Sequence, residues 1–168
     1  MRECSVCSNC YEDHIILCPK DGQALPEPIP IPIIIARKYR IDALIGRGGM
    51  GTVYKATQFG LNRSVAIKIL RQELLTAGLS VEHLRHEALA SSRIDHPNVV
   101  TVHDYGTLES GEEYLVMKFI KGYPLSKELR AHGQLSFDRA FGIILQVCSA
   151  IEAAHKLSIA HCDLKPDN

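Results

Sequence analysis

One stretch constrains this chain more than any other. Gly46-Arg-Gly48-Gly49-Met-Gly51 sets four glycines in six positions between two runs rich in β-branched and aromatic residues, 39–45 and 51–57. Glycine permits a tight turn and lets backbone N–H groups approach a phosphate with no Cβ in the way. In a dinucleotide-binding fold the same G-x-G-x-x-G spacing follows a strand and opens a helix. Here Thr52-Val53-Tyr54-Lys55-Ala56 comes next, which is strand chemistry, so the segment reads as a hairpin with a glycine-rich tip.

The following run, 64–70 (SVAIKIL), is a short β-branched strand with Lys68 between Ile67 and Ile69. A buried ammonium costs several kcal/mol unless it is paired. Lys68 is therefore expected to face phosphates and a carboxylate. The carboxylate expected is Glu87, on an amphipathic helix read over 81–94, with Glu73 and Glu82 as competitors. His96-Pro97-Asn98 ends that helix, because proline disfavours helix at the residue before it. Two more strands follow at 99–105 and 113–120, separated by turn residues. A short helix at 125–132 and a long one at 137–156, capped by Ser136, complete the order. Five strands with one helix inserted, then helices, describe an α+β fold.

The chain closes on His161-Cys162-Asp163-Leu164-Lys165-Pro166-Asp167-Asn168. With this motif it resembles the eukaryotic-like (Hanks-type) protein kinases, and its wording is most similar to bacterial serine/threonine kinases. GRGGMGTVYKA, VAIK, HPNVV, EYLVMKFI and HCDLKPDN occur in unbroken order over 39–168. The resemblance implies a kinase N-lobe, a five-stranded antiparallel sheet plus one helix, with the first helices of the C-lobe. With the cysteine clustering and the proline run, it gives the expected division into a zinc-ribbon-like module at 1–25, a Pro/Ile-rich linker at 26–36 and a kinase domain from 37 to 168. It also implies ATP, Mg²⁺ and protein substrates carrying serine or threonine hydroxyls. Gly46, Gly48, Gly49 and Gly51 would cover the phosphates, and Ile45, Val53 and Ala66 would close over the adenine. Lys68 would hold the α- and β-phosphates and pair with Glu87. Met117 would be the gatekeeper, with the backbone of Lys118 and Ile120 on the adenine edge. Asp163 would accept the hydroxyl proton, Lys165 would neutralise the γ-phosphate, and Asn168 would hold Mg²⁺. Cys162 stands where the family has an arginine that pairs with a phosphorylated activation loop, so that mode of switching is not expected. The resemblance ends at Asn168, about half-way through the family's domain and ahead of its D-F-G aspartate. The 168-residue chain alone is therefore expected to be inactive and to expose the apolar stripe of its last helix. A reading from another class is a non-catalytic half-kinase that binds ATP or a partner protein.

Cys4, Cys7, Cys10 and Cys18 crowd the first eighteen residues, and Cys148 and Cys162 stand alone. Cys4-x-x-Cys7-x-x-Cys10 and Cys18-Pro-Lys-Asp21-Gly resemble the two knuckles of a zinc ribbon, with tetrahedral Zn²⁺ on four thiolates. The set expected is Cys4, Cys7, Cys10 and Cys18. His14 or Asp21 could instead complete a set with three of the cysteines. A segment with so few apolar residues needs metal to fold, and it could recruit a protein partner. In the linker, Pro26-Glu-Pro-Ile-Pro-Ile-Pro32 fixes φ and removes donors, which predicts an extended, semi-rigid connection.

Composition adds exclusions. Nineteen Lys+Arg balance nineteen Asp+Glu, and 46% of residues are hydrophobic. Wholesale disorder is excluded, and a neutral balance removes the usual argument for a nucleic-acid partner. The most apolar run, 29–36, has eight residues, well short of the ~18 that span a bilayer. The start MRECSVCSNC lacks the apolar core of a signal peptide, so a cytoplasmic chain is expected.

Overall fold

The structure, a computed structural model, describes residues 1–49, 51–71 and 93–167. The helix expected over 81–94 lies outside the described residues except for 93 and 94, which are not helical; Glu73, Glu82, Glu87, Met50 and Asn168 also lie outside them. The described residues form two compact units, one of residues 1–71 with Val102–Phe119, the other of residues 93–101 and 120–167.

The first unit is built on an antiparallel sheet. Its strands are β3 (Ile34–Ile35), β4 (Tyr39–Gly48), β5 (Gly51–Gln58), β6 (Arg63–Leu70), β7 (Val102–Thr107) and β8 (Glu113–Lys118), in the spatial order β3-β4-β5-β6-β8-β7. A two-stranded ribbon of β1 (Arg2–Glu3) and β2 (Cys10–Tyr11) precedes it.

Five of the six sheet strands match the five read from the sequence. The sixth, β3, comes from the linker. Lys38 N–H donates to the Ile35 carbonyl at 3.0 Å around Ala36 (φ 50°) and Arg37 (φ 53°). Positive φ at both central residues is the hairpin turn whose twist matches that of the strands it joins. Ile34 and Ile35 then pair with Arg40 and Tyr39. The linker is extended as expected, and it is also packed: Ile35 is fully buried, and Ile29, Ile31 and Ile33 lie against the same core. Alternation with proline puts these isoleucines on one side of the segment.

Strand periodicity sorts the sheet into two faces. Tyr54 pairs with Ile67, Ala56 with Val65, Ile67 with Val116 and Ile69 with Tyr114, and all of these are buried. With Tyr39, Ile41, Met1, Cys10 and Ile35 they form one apolar cluster. The cysteine-rich module and the linker thus cover this face. Each fully buried Ile or Val contributes roughly 1.5–3 kcal/mol relative to exposure.

In the second unit, α1 (Leu125–His132) ends on Gly133, whose φ of 78° and N–H bond to the Leu129 carbonyl make a glycine C-cap. The longer helix, α2 (Phe137–His155), begins at Ser136, whose hydroxyl accepts from Arg139 N–H at 3.4 Å. Arg139 donates to both carboxylate oxygens of Glu128, at 2.7 and 2.9 Å, which ties α2 to α1. His96 and Asn98 of the H-P-N turn bond Ser149 and Gln146 of α2 at 3.0 and 2.9 Å. Of the apolar positions read on this helix, Ile144, Leu145 and Cys148 are exposed and Ile151 is half-buried; Phe137 and Phe141 are exposed as well. Among the described residues no helix is long and apolar enough to cross a membrane.

Candidate nucleotide site and catalytic loop

In the first unit four of the residues expected at a nucleotide lie on the sheet face opposite the core, while Ile45 is exposed at a register shift of β4 and Lys118 pairs with Val65. Val53 pairs with Lys68, Lys68 with Leu115, and Ala66 with Met117. Directly opposed residues share a face, and so do residues two apart on one strand. Val53, Ala66, Lys68 and Met117 therefore form one patch, with Lys68 half-buried among apolar neighbours. The core residues Tyr54, Ile67 and Val116 take the other face.

The glycines divide by environment. A Cβ on Gly46 or Gly49 would meet nothing within 4 Å, so backbone there is open to a ligand. A Cβ on Gly51 would collide with the Ile69 carbonyl oxygen and lie 3.1 Å from Leu70 Cα. Gly51 is thus required by the close approach of β5 to β6, and the more open glycines suit phosphate approach.

A brace that the sequence did not disclose holds this hairpin. Glu3 accepts from Tyr54 Oη at 2.6 Å and from the Arg47 guanidinium, and its side chain is only 11% exposed. Burial and the Glu3 carboxylate push the Tyr54 phenol well above its ordinary range. Glu3 lies 44 and 51 positions from its partners, so no local pattern announces the contact.

In the second unit the loop 161–167 follows α2. Lys165 Nζ donates to Asp163 Oδ2 at 2.7 Å, and both side chains are about half-exposed. Asp163 N–H donates to the His161 carbonyl at 2.8 Å, with His161 Nδ1 at 3.3 Å. Cys162, between them, has φ 58°. A 161-to-163 bond around a positive-φ residue is a γ-turn, a strained conformation for a side chain other than glycine. Ser126 N–H, free in the first turn of α1, donates to the Pro166 carbonyl at 2.8 Å and anchors the far end of the loop. Ile120 is 56% exposed, and Lys118, in the first unit, is also exposed.

The model of the protein kinase domain family matches residues 39–168. This chain belongs to the protein kinase family. The sheet from Tyr39 onward is that of the kinase N-lobe, and the second unit holds the first helices of the C-lobe, as the resemblance implied. The kinase chain is 42% identical over 134 residues to the serine/threonine-protein kinase pkn3 of Myxococcus xanthus, which covers 80% of this chain and 24% of that protein. It is 40% identical over 141 residues to the probable serine/threonine-protein kinase PknB of Lactococcus lactis, covering 83% and 22%. With the serine/threonine-protein kinase PrkC of Bacillus subtilis the identity is 40% over 134 residues, covering 80% and 20%. The chain thus spans about a fifth to a quarter of the length of these three relatives.

The kinase family match does not include the cysteine-rich module. There the donor atoms of Cys4, Cys7, Cys18 and Asp21 all lie within 4.8 Å of one another. Cys10 does not join them. It sits on β2, its side chain in the apolar cluster with Met1 and Tyr54, and its Sγ lies 3.9 Å from the Ser8 carbonyl. The third cysteine of the first knuckle therefore differs from the expected set: strand pairing of Glu3 with Cys10 turns it into the core. His14 is exposed beside Glu12 at 3.3 Å and is likewise not in the group, so Asp21 is the convergent fourth donor. Burial pushes the Cys7 thiol up to about 11, with Asp21, Cys18 and Cys4 acting in the same direction. Burial also opposes ionisation of Asp21, but donors from Cys18, Gln23 N–H and Cys4 outweigh it and hold the carboxyl at about 2.

Proposed function

We propose that this chain supplies the nucleotide lobe and catalytic loop of an ATP-dependent protein serine/threonine kinase. The observation that carries the reading is the sorting of Val53, Ala66, Lys68 and Met117 onto the sheet face opposite the packed core. An apolar patch with one half-buried ammonium suits an adenine next to phosphates. Open space at Gly46 and Gly49 suits backbone N–H contact with those phosphates.

Phosphoryl transfer asks for positioning and charge neutralisation more than for covalent chemistry. Lys68 would hold the non-transferred phosphates, and Met117 with the Lys118 and Ile120 backbone would border the adenine. Asp163 would orient the attacking hydroxyl and take its proton. Lys165, already 2.7 Å from Asp163, would offset charge on the transferred group as that proton arrives. Mg²⁺, with Asn168 among its ligands, would supply further neutralisation when bound. The names of the relatives favour serine or threonine acceptors.

The test is transfer of labelled phosphate from ATP to a protein acceptor by the whole kinase purified from its source. Asp163→Asn is expected to lower the rate ~10²–10⁴-fold with nucleotide affinity retained. Lys68→Met is expected to weaken nucleotide binding itself. Full activity in Asp163→Asn would refute the assignment.

A further inference from the structure

We propose that Cys4, Cys7, Cys18 and Asp21 bind one Zn²⁺ as a three-thiolate, one-carboxylate site, and that this ion braces the strand leading into the glycine-rich hairpin. The donor spacing argues for a single tetrahedral ion. Bond lengths of about 2.3 Å to sulfur and about 2.0 Å to oxygen place tetrahedral ligands about 3.8 Å apart for two sulfurs and about 3.5 Å for sulfur and oxygen. Cys7 Sγ and Cys18 Sγ are 3.6 Å apart, and Cys4 Sγ and Asp21 Oδ2 are 3.2 Å apart. A metal cluster would need its cysteines much farther from one another. Soft thiolates with one hard oxygen suit Zn²⁺ rather than Mg²⁺ or Ca²⁺.

The surroundings are those of a built site. Cys4 and Cys18 are buried, with Leu25 beside them. Cys7 N–H points at Cys4 Sγ at 3.5 Å, and Tyr11 Oη lies 3.3 Å from Cys18 Sγ, so the sulfurs have outer hydrogen-bond partners. Asp21 Oδ1 accepts from Gln23 N–H at 3.1 Å, which leaves Oδ2 aimed at the thiols.

The first knuckle also touches the sheet. Ser8 N–H bonds the Cys4 carbonyl at 3.0 Å and Cys4 N–H bonds the Asn9 carbonyl at 2.9 Å, closing a turn with Ser8 at φ 61°. The outer side of that turn meets β4: Leu44 N–H donates to the Ser8 carbonyl at 2.8 Å, and Asn9 bridges Ala43. Leu44 is two residues before Gly46. An ion that fixes Cys4 and Cys7 thereby fixes Ser8 and Asn9 against the strand that carries the first glycine.

The experiment uses the full-length protein, purified under reducing conditions from zinc-supplemented cells. One equivalent of zinc per chain is expected. Zinc K-edge absorption is expected to fit three sulfurs and one oxygen. Asp21→Ala should lose at least the ~10–100-fold in zinc affinity that even outer-shell partners are worth, measured against a chromogenic chelator. Cys10→Ser should keep its zinc. Chelation should speed hydrogen exchange at the Leu44 amide and leave the Ile67 amide unchanged. Absence of zinc, or a Cys7–Cys18 disulfide instead, would overturn the site. A four-sulfur shell would overturn the carboxylate, and this readout on unsubstituted protein holds even if Cys10→Ser misfolds. Unchanged exchange at Leu44 would overturn the brace.

Discussion

Replacing Gly51 with alanine separates the structural demand on the glycine-rich hairpin from its ligand-facing one. The added methyl would overlap the Ile69 carbonyl oxygen and stand 3.1 Å from both Ile69 carbonyl carbon and Leu70 Cα. These are backbone atoms, so no side-chain rotation relieves the clash. Strands β5 and β6 must part at the Gly51–Leu70 pair. Overpacking of this kind costs ~1–3 kcal/mol, and one lost ladder bond adds about 1 kcal/mol. Restricting the unfolded chain returns ~0.4–1 kcal/mol. The net is about 2 kcal/mol, a factor of roughly 30 in the folding equilibrium. With a urea slope of ~1–3 kcal/mol/M the midpoint falls by about 1 M. The chain has no tryptophan, so far-UV circular dichroism is the probe. Gly49→Ala, where the methyl meets nothing within 4 Å, is the control and should move stability by no more than about 0.5 kcal/mol. Equal midpoints for the two variants would refute the argument that β5–β6 contact, rather than ligand access, demands glycine at 51.

Three further outcomes follow from the same geometry. Glu3→Ala strips the acceptor from the buried Tyr54 hydroxyl and should cost ~1–3 kcal/mol by urea denaturation; adding Tyr54→Phe should recover part of that loss, and no recovery would show that the orphaned hydroxyl is not its source. Glu128 is held below the ordinary carboxylate range by Arg139, so its contribution is complete above the unfolded value of ~4.3 and is lost as pH falls through the folded value; Arg139→Ala should flatten the acid side of the stability profile, and an unchanged profile would count against the pair. Phe137 and Phe141 stack with centroids 5.9 Å apart and are 80% and 53% exposed, next to exposed Ile144 and Leu145. The purified 168-residue chain should therefore self-associate, and light scattering should show Phe141→Ser with Ile144→Ser shifting it toward monomer; a monomeric unsubstituted chain would contradict this.

Much of the fold was legible because its signals are local. The Val65-Ala66-Ile67-Lys68-Ile69 alternation predicts a strand with Lys68 and Ala66 on one face, and the register confirms that arrangement through Val53 and Met117. Ser136 and the apolar spacing after it predict α2, which begins at Phe137. The linker was half legible. Its prolines predict extension, but its isoleucines join the core only because a positive-φ turn at Ala36 and Arg37 brings β3 back onto β4. Nothing in P-I-P-I-P marks that return.

The cysteine module shows where local reading stops. Three-residue spacing makes Cys4, Cys7 and Cys10 look equivalent along the chain. Pairing of β1 with β2 breaks the equivalence, sending Cys10 into the apolar cluster while Cys4 and Cys7 meet Cys18 and Asp21. The Glu3–Tyr54–Arg47 brace likewise joins residues 44 and 51 positions apart. Element type, glycine placement and the wording of the catalytic loop are written in neighbouring residues, because backbone sterics and strand period act over a few positions. The choice between the alternative donor sets, and the buried hydrogen bonds, belong to tertiary structure, because a thiol or carboxylate takes its role from whichever distant groups packing brings within about 3 Å.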